Sequence, residues 1–134
     1  MRWVEATCAV SALRVSSPCL WSSAATDSLS FKTTVFPGEV VYLRSVVLRV
    51  YDSSIECFCH VLAEDRNSAA PKLRLVSQSF FTLVAIDQPS GRPLKGRLRQ
   101  VELPEGPARA MGAGSDVRRA DRLADKGMLQ RVYA

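Results

Sequence analysis

Residues 39–87 read EVVYLRSVVLRV YDSS IECFCHVLAE DRNSAAP KLRLVSQSFFTLVAID, three apolar runs parted by two polar ones. The runs are rich in Val, Ile, Leu, Phe and Tyr, side chains that suit a pleated, half-buried surface. They predict strands over 39–50, 55–64 and 72–87, joined at Asp52-Ser53-Ser54 and at Asp65 to Pro71. Strand, short turn, strand, short turn, strand is an antiparallel meander. In the middle run Ile55, Cys57, Cys59, Val61 and Ala63 alternate with Ser54, Glu56, His60 and Glu64. One face is therefore expected to meet a core, with Phe58 and Leu62 as apolar exceptions on the polar face.

Upstream, Met1 to Arg14 contains no Gly or Pro, and Arg2, Glu5 and Arg14 are its only charges. That pattern predicts a helix buried on most of its circumference, ended by Ser16-Ser17-Pro18, where proline resists continuation. Trp21 to Phe31 reads as extended, and Pro37-Gly38 closes the turn that follows. Downstream, Gln88-Pro89-Ser90-Gly91 is a turn, and Pro93, Pro104 and Pro107 mark an irregular link. Ser115 to Tyr133 is expected to be helical, with Ser115 as N-cap, Asp116 in the first turn and Arg118, Arg119, Arg122 and Lys126 over the surface. The expected fold class is α+β, an antiparallel sheet wrapped around one buried helix. Residues 1–91 form the domain and 92–134 a partly helical, basic extension.

The chain has 134 residues, 47% hydrophobic and 23% charged, with 7 Gly and 7 Pro, which fits one soluble domain and excludes collagen, wholesale disorder and a disulfide scaffold. No apolar run approaches the roughly 18 residues a membrane helix needs, since Arg44, Arg49 and Arg74 cut the longest candidates. The net charge of +5 sits entirely in the last third: residues 1–91 carry eight basic and eight acidic side chains, residues 92–134 ten and five. That tail lacks the interleaved aromatics of a single-strand binder and any recognition-helix signature, so nucleic acid is not the expected partner. The run Arg92, Lys95, Arg97, Arg99 reads first as a solvated edge guarding against sheet aggregation, and secondarily as a phosphate contact.

Cys57, Cys59 and His60 form C-x-C-H, but strand alternation turns both thiols to one face and the imidazole to the other, so one ion cannot be held by all three. No metal site is expected. With Cys8 and Cys19 they read as four free, buried thiols in a reducing compartment, cytoplasmic or mitochondrial. Nothing near His60 forms a recognised nucleophile motif.

These segments, in this order, resemble the hotdog-fold acyl-CoA thioesterases, specifically the animal-type cytosolic and mitochondrial acyl-coenzyme A hydrolases. Met1-Arg2-Trp3-Val4-Glu5 is similar to that family's M-x-W-[ML]-[DE] helix, and Thr26-Asp27-Ser28-Leu29-Ser30-Phe31 to its S-V-D-x-x-x-F strand. Val35-Phe36-Pro37-Gly38-Glu39 resembles its x-V-G-D turn, Tyr51 to Cys57 its F-x-x-S-M-E-V stretch, and Ser79 to Ala85 its A-x-x-T-F-V-A strand. The resemblance implies a homodimer or a trimer of dimers that cleaves acyl-CoA to fatty acid and coenzyme A by water attack at a subunit interface. It implies no cofactor, coenzyme A being part of the substrate.

Carried over by position, Glu5 is the acid that activates or orients water, a role a carboxylate can fill beside an oxyanion-stabilising helix N-terminus. Without the resemblance, Glu5 reads first as a dipole-favoured residue at a helix start. Ser53, Ser54 and Ile55 match the turn that contacts the coenzyme, Ala24, Ala25 and Thr26 the strand lining its site, and Arg118 and Arg119 a basic pair for its phosphates. The family's first strand, Gly-Gly turn and catalytic asparagine precede the helix, whereas this sequence starts inside it and its only asparagine is Asn67. An N-terminally shortened fold is therefore expected. So is a second class of function, a non-catalytic hotdog module that binds acyl-CoA or serves as a structural subunit, or a chain completed by a complementing hotdog subunit.

Overall fold

The computed structural model describes residues 2–16, 20–70 and 72–133, with the side chains at 127 and 129–133 excluded. Helix α1 spans Arg2–Val15, followed by strands β1 Leu20–Phe31, β2 Val40–Val50, β3 Ser54–Glu64 and β4 Leu73–Ile86, then helices α2 Pro107–Ala113 and α3 Ser115–Tyr133. The chain divides into two compact units, Met1–Val101 and Glu102–Ala134. The stretch 92–101, grouped by composition with the basic extension, packs with the sheet.

The four strands form one sheet in the order β1-β4-β3-β2, antiparallel throughout. The meander β2-β3-β4 lies where the alternation placed it, and β1 adds to the far edge of β4. Because β3 lies between β2 and β4, its residues from Ile55 to Glu64 have a partner on both sides, as Cys59 does in Ser45 and Ser79. Strand β1 is irregular. Its register slips between Ser23 and Ala25 and between Asp27 and Ser30, and Ser28 takes a φ of 51°, the left-handed conformation that an extra strand residue often adopts.

Helix α1 touches all four strands and lies mainly on β2 and β3. Val4, Cys8 and Ala12, spaced four apart, are its buried residues, and they join Val47, Val50, Ile55, Cys57, Cys59, Phe81 and Leu83 in the core. Two of the three are small, which lets the helix backbone approach the sheet closely. The Ser45 hydroxyl, paired with that of Ser11, also donates to the Thr7 carbonyl at 3.0 Å, pinning the helix to β2. Burial over most of the circumference is not what the chain adopts. Trp3 is 77% exposed, Val10 57% and Leu13 43%, because a four-stranded sheet covers only one side of a helix.

Strand β3 departs from simple alternation in the other direction. Ile55, Glu56, Cys57, Phe58 and Cys59 are all buried, and Phe58 packs on Phe80 with ring centroids 5.2 Å apart. Beyond β4, residues 87–99 form an ordered strap rather than a loose link. Asp87 N–H donates to Arg92 O, Leu94 N–H to Ala85 O, and Gly96 N–H to Asp52, ending with Arg99 N–H on the Ser16 hydroxyl at 3.0 Å. In the second unit Pro107 opens α2, a position where its missing N–H costs nothing. Gly114, rather than Ser115, caps α3: its carbonyl accepts the first helical bond, from Arg118 N–H at 3.1 Å.

Candidate functional site

Glu5 sits in the first turn of α1, exposed, where the helix dipole favours a carboxylate. Its neighbours Trp3 and Val4 wall a groove of about 460 Å³ whose other lining residues are Phe31, Val41, Leu43, Val61, Val76 and Ser77. Ser77 is the one polar side chain there. The groove forms because α1 lies across β2 and β3 without covering the Phe31 end of the sheet. Such a volume and lining suit an apolar ligand.

Ser53 and Ser54 lie at the other end of the sheet. Their turn is held by Tyr51 N–H on Ser54 O at 2.7 Å, Ala85 N–H on Ser53 O at 2.9 Å and Gly96 N–H on the Asp52 carboxylate at 2.8 Å. Val4 borders Val61, and from Val61 back to Ser53 is eight residues of strand, about 25 Å at the usual rise. Within one chain, therefore, Glu5 and the serine turn do not meet. Ile55 is fully buried, its side chain part of the core.

Ala24, Ala25 and Thr26 lie along β1, with Ala24 and Thr26 exposed and Ala25 opposite Thr82. Ala24 falls in the register slip. Arg118 and Arg119 belong to the second unit. The Arg118 guanidinium donates to Met111 O at 2.8 Å and to the Ser115 hydroxyl at 3.2 Å, which ties α3 to α2. A second concavity, about 330 Å³, opens beside the serine turn and is lined by Leu20, Ile86, Asp87, Gln88, Pro89, Leu94 and Arg97. Neither concavity was legible in the sequence, since both are made by residues far apart in the chain; the alternating cations at 92–99 were the only signal for the second.

Cys8, Cys57 and Cys59 are free and buried, and Cys19 lies outside the described residues. A hydrogen bond with the Cys57 thiol, together with burial, pushes the Cys8 thiol up to about 12. The Cys59 thiol is pushed up by its hydrogen bond to Cys8 and by burial. Both stay protonated near neutral pH, so neither is an activated nucleophile. Burial and the nearby Arg44 charge hold the His60 imidazole below its ordinary value. Among the described residues no group of three or more His, Cys, Asp or Glu is placed to hold a metal ion.

A single helix laid on an antiparallel sheet ordered β1-β4-β3-β2 is the hotdog fold, the architecture of acyl-CoA thioesterases. The chain superposes on an acyl-CoA hydrolase from Bacillus cereus with a TM-score of 0.81 at 21% identity, covering 98% of this chain and 78% of that one. It also matches an acyl-CoA hydrolase from Staphylococcus aureus, solved with butyryl coenzyme A and coenzyme A, at a TM-score of 0.75 and 20% identity over 99% and 82% of the two chains. A hexameric hotdog-fold thioesterase of Campylobacter jejuni matches at 0.59 and 22%, over 72% and 74%. No protein-family model and no curated protein matches the sequence.

Proposed function

We propose that the chain hydrolyses acyl-CoA thioesters in a site assembled from two copies. The observation that carries this is the separation of Glu5 from Ser53 and Ser54, at opposite ends of one sheet. Strand β1 is an outer strand of that sheet, and edges pair readily. Antiparallel pairing of two β1 edges about a two-fold axis sets the Phe31 end of one copy against the Leu20 end of the other. Glu5 of one copy then approaches the serine turn of its partner, which a single chain cannot achieve. The hexameric state of the Campylobacter neighbour supports an assembly of such dimers, and the free thiols fit a reducing compartment, cytoplasm or mitochondrion.

In that site the acyl chain lies in the groove beside Trp3 and Val4, and the thioester carbonyl sits at the α1 N-terminus. Water held by the Glu5 carboxylate attacks the carbonyl carbon as Glu5 takes its proton. The oxyanion is stabilised by the first N–H groups of the helix. Collapse breaks the C–S bond, the thiolate leaves and recovers a proton, and the products are a free carboxylic acid and coenzyme A.

The test is complementation. Glu5→Ala and Ser53→Ala, each purified alone, are expected to lose thiol release from acyl-CoA by on the order of 10²-fold or more. Mixed and refolded together, they regain activity toward the quarter expected when one wild-type site forms per mixed dimer. Recovery absent, with both variants dimeric and folded, counts against a shared site. The alternative reading, a binding module without turnover, draws on the position of Asn67 in the β3–β4 turn, its N–H on the Asp65 carboxylate; wild-type protein that binds acyl-CoA and releases no thiol establishes it.

A further inference from the structure

Helix α1 meets the sheet along two lines of residues, and only one of them is apolar. Val4, Cys8 and Ala12 join Ile55, Cys57 and Cys59 of β3 in the core, a contact that resists separation but has no preferred direction. The second line is polar. The Ser11 and Ser45 hydroxyls pair, and Ser45 donates to the Thr7 carbonyl at 3.0 Å. A hydroxyl has one proton to give, so with Ser45 donating to Thr7 it is Ser11 that donates to Ser45. The result is one hydrogen-bonded chain from α1 to β2 and back. Thr7 and Ser11 are four apart in the helix and therefore lie on one face of it.

This clamp stands beside the groove next to Glu5. Val41 and Leu43 line that groove from β2, and Ser45 is the next residue on their face, because the register on β3 runs unbroken from Val40 to Val47. Thr7 passes the constraint toward the helix start: its hydroxyl donates to the Trp3 carbonyl at 2.8 Å, in the turn that holds Glu5. Two lines of contact fix the rotation of a helix about its own axis, which one line leaves free. Side-chain ends lie about 5–6 Å from that axis, so a rotation of about 10° moves the Glu5 carboxylate by about 1 Å. A displacement of that size can cost on the order of 10²-fold in rate.

We infer that Ser45 is a positioning residue for the hydrolysis: its hydroxyl, through Thr7 and Ser11, sets the rotation of α1 and so the place of the Glu5 carboxylate and of the first N–H groups of the helix. The inference rests on the thioesterase reading above and adds to it a residue that touches neither the water nor the thioester. Alanine would close a half-buried seam at this position equally well. What the hydroxyl adds is direction, because a hydrogen bond weakens steeply away from its axis.

The experiment compares steady-state thiol release from acyl-CoA by the full chain as wild type, Ser45→Ala, Ser45→Thr and Tyr42→Phe, each well below its melting temperature. Tyr42 lies on the same strand and donates its hydroxyl proton to the Glu64 carboxylate at 2.8 Å, so Tyr42→Phe removes a hydrogen bond of β2 that does not reach α1. Ser45→Ala lowers kcat about tenfold and leaves KM within about twofold. Ser45→Thr keeps the hydroxyl and recovers kcat, and Tyr42→Phe changes neither constant. If Ser45→Ala fails to fold, Ser11→Ala, which breaks only the outer link, is read instead: kcat falls by a smaller factor, and a wild-type kcat overturns the role. An unchanged kcat in Ser45→Ala, a loss confined to KM, an equal loss in Tyr42→Phe or no recovery in Ser45→Thr also overturns it. Wild type that releases no thiol removes the hydrolytic reading and this role together; wild type that turns over while Ser45→Ala matches it removes this role alone.

Discussion

Glu39 shows how one side chain closes a loop. Its carboxylate takes both arms of the Arg74 guanidinium and the Phe36 N–H, while Arg74 also reaches Thr34 O at 2.7 Å. The turn between β1 and β2 is thereby fastened to β4. The Arg74 hydrogen bond, with that from Phe36, holds the Glu39 carboxyl below its ordinary 4.5. A carboxyl with a depressed folded-state value stabilises above its unfolded value and loses that contribution as pH falls through the folded one. Wild type should therefore melt above Glu39→Gln at neutral pH, and the gap should close as pH drops below about 4.5. Melting both proteins from pH 7 to pH 3 checks this, and a gap that does not narrow below pH 4.5 refutes it. At the same scale, Glu5 was legible as a first-turn acid, but whether it faces core or solvent was not, because that depends on how much of the helix the sheet covers.

Helix α1 is held by a narrow contact, and this makes the contact sensitive. Ala12 is fully buried between helix and sheet, so Ala12→Leu forces three extra carbon atoms into a closed seam. Overpacking of this kind costs about 1–3 kcal/mol, and denaturant unfolding should show it as a lower midpoint at unchanged slope. Leu13→Ala, on the exposed side, should cost far less. The strands were readable to within a residue or two, because turn residues at Asp52 to Ser54 and Asp65 to Pro71 punctuate strong apolar runs. Burial on both faces of β3 was not readable, since Glu56 and Phe58 acquire cover only when neighbouring elements close over them.

At the scale of the molecule, the groove near Glu5 draws on α1, β1, β2, β3 and β4 at once, and it should set the acyl preference. Val41→Trp fills the groove from β2, where Val41 is 40% exposed and a larger side chain meets little resistance in folding. Long-chain acyl-CoA should lose kcat/KM by about tenfold or more relative to short-chain substrate. An equal loss for all chain lengths places the acyl chain elsewhere. The serine turn and the strap complete the layout at the far end of the sheet, which is why the proposed site is a property of two copies.

The sequence by itself determined the elements: apolar alternation and turn chemistry are local, and they fixed the helix, the meander and the excess of cations after residue 91. It also brought out the ordered motifs that pointed to the hotdog fold. Only the tertiary structure decided which of those motifs are neighbours. Packing α1 on β2 and β3 sets Val4, and with it Glu5, at the Val61 end of the sheet, away from Ser53, returns the strap at 92–99 to the sheet and commits Arg118 to a helix junction. Adjacency of this kind depends on long-range pairing and on the direction in which an element crosses its neighbours, and neither leaves a periodic trace in the chain.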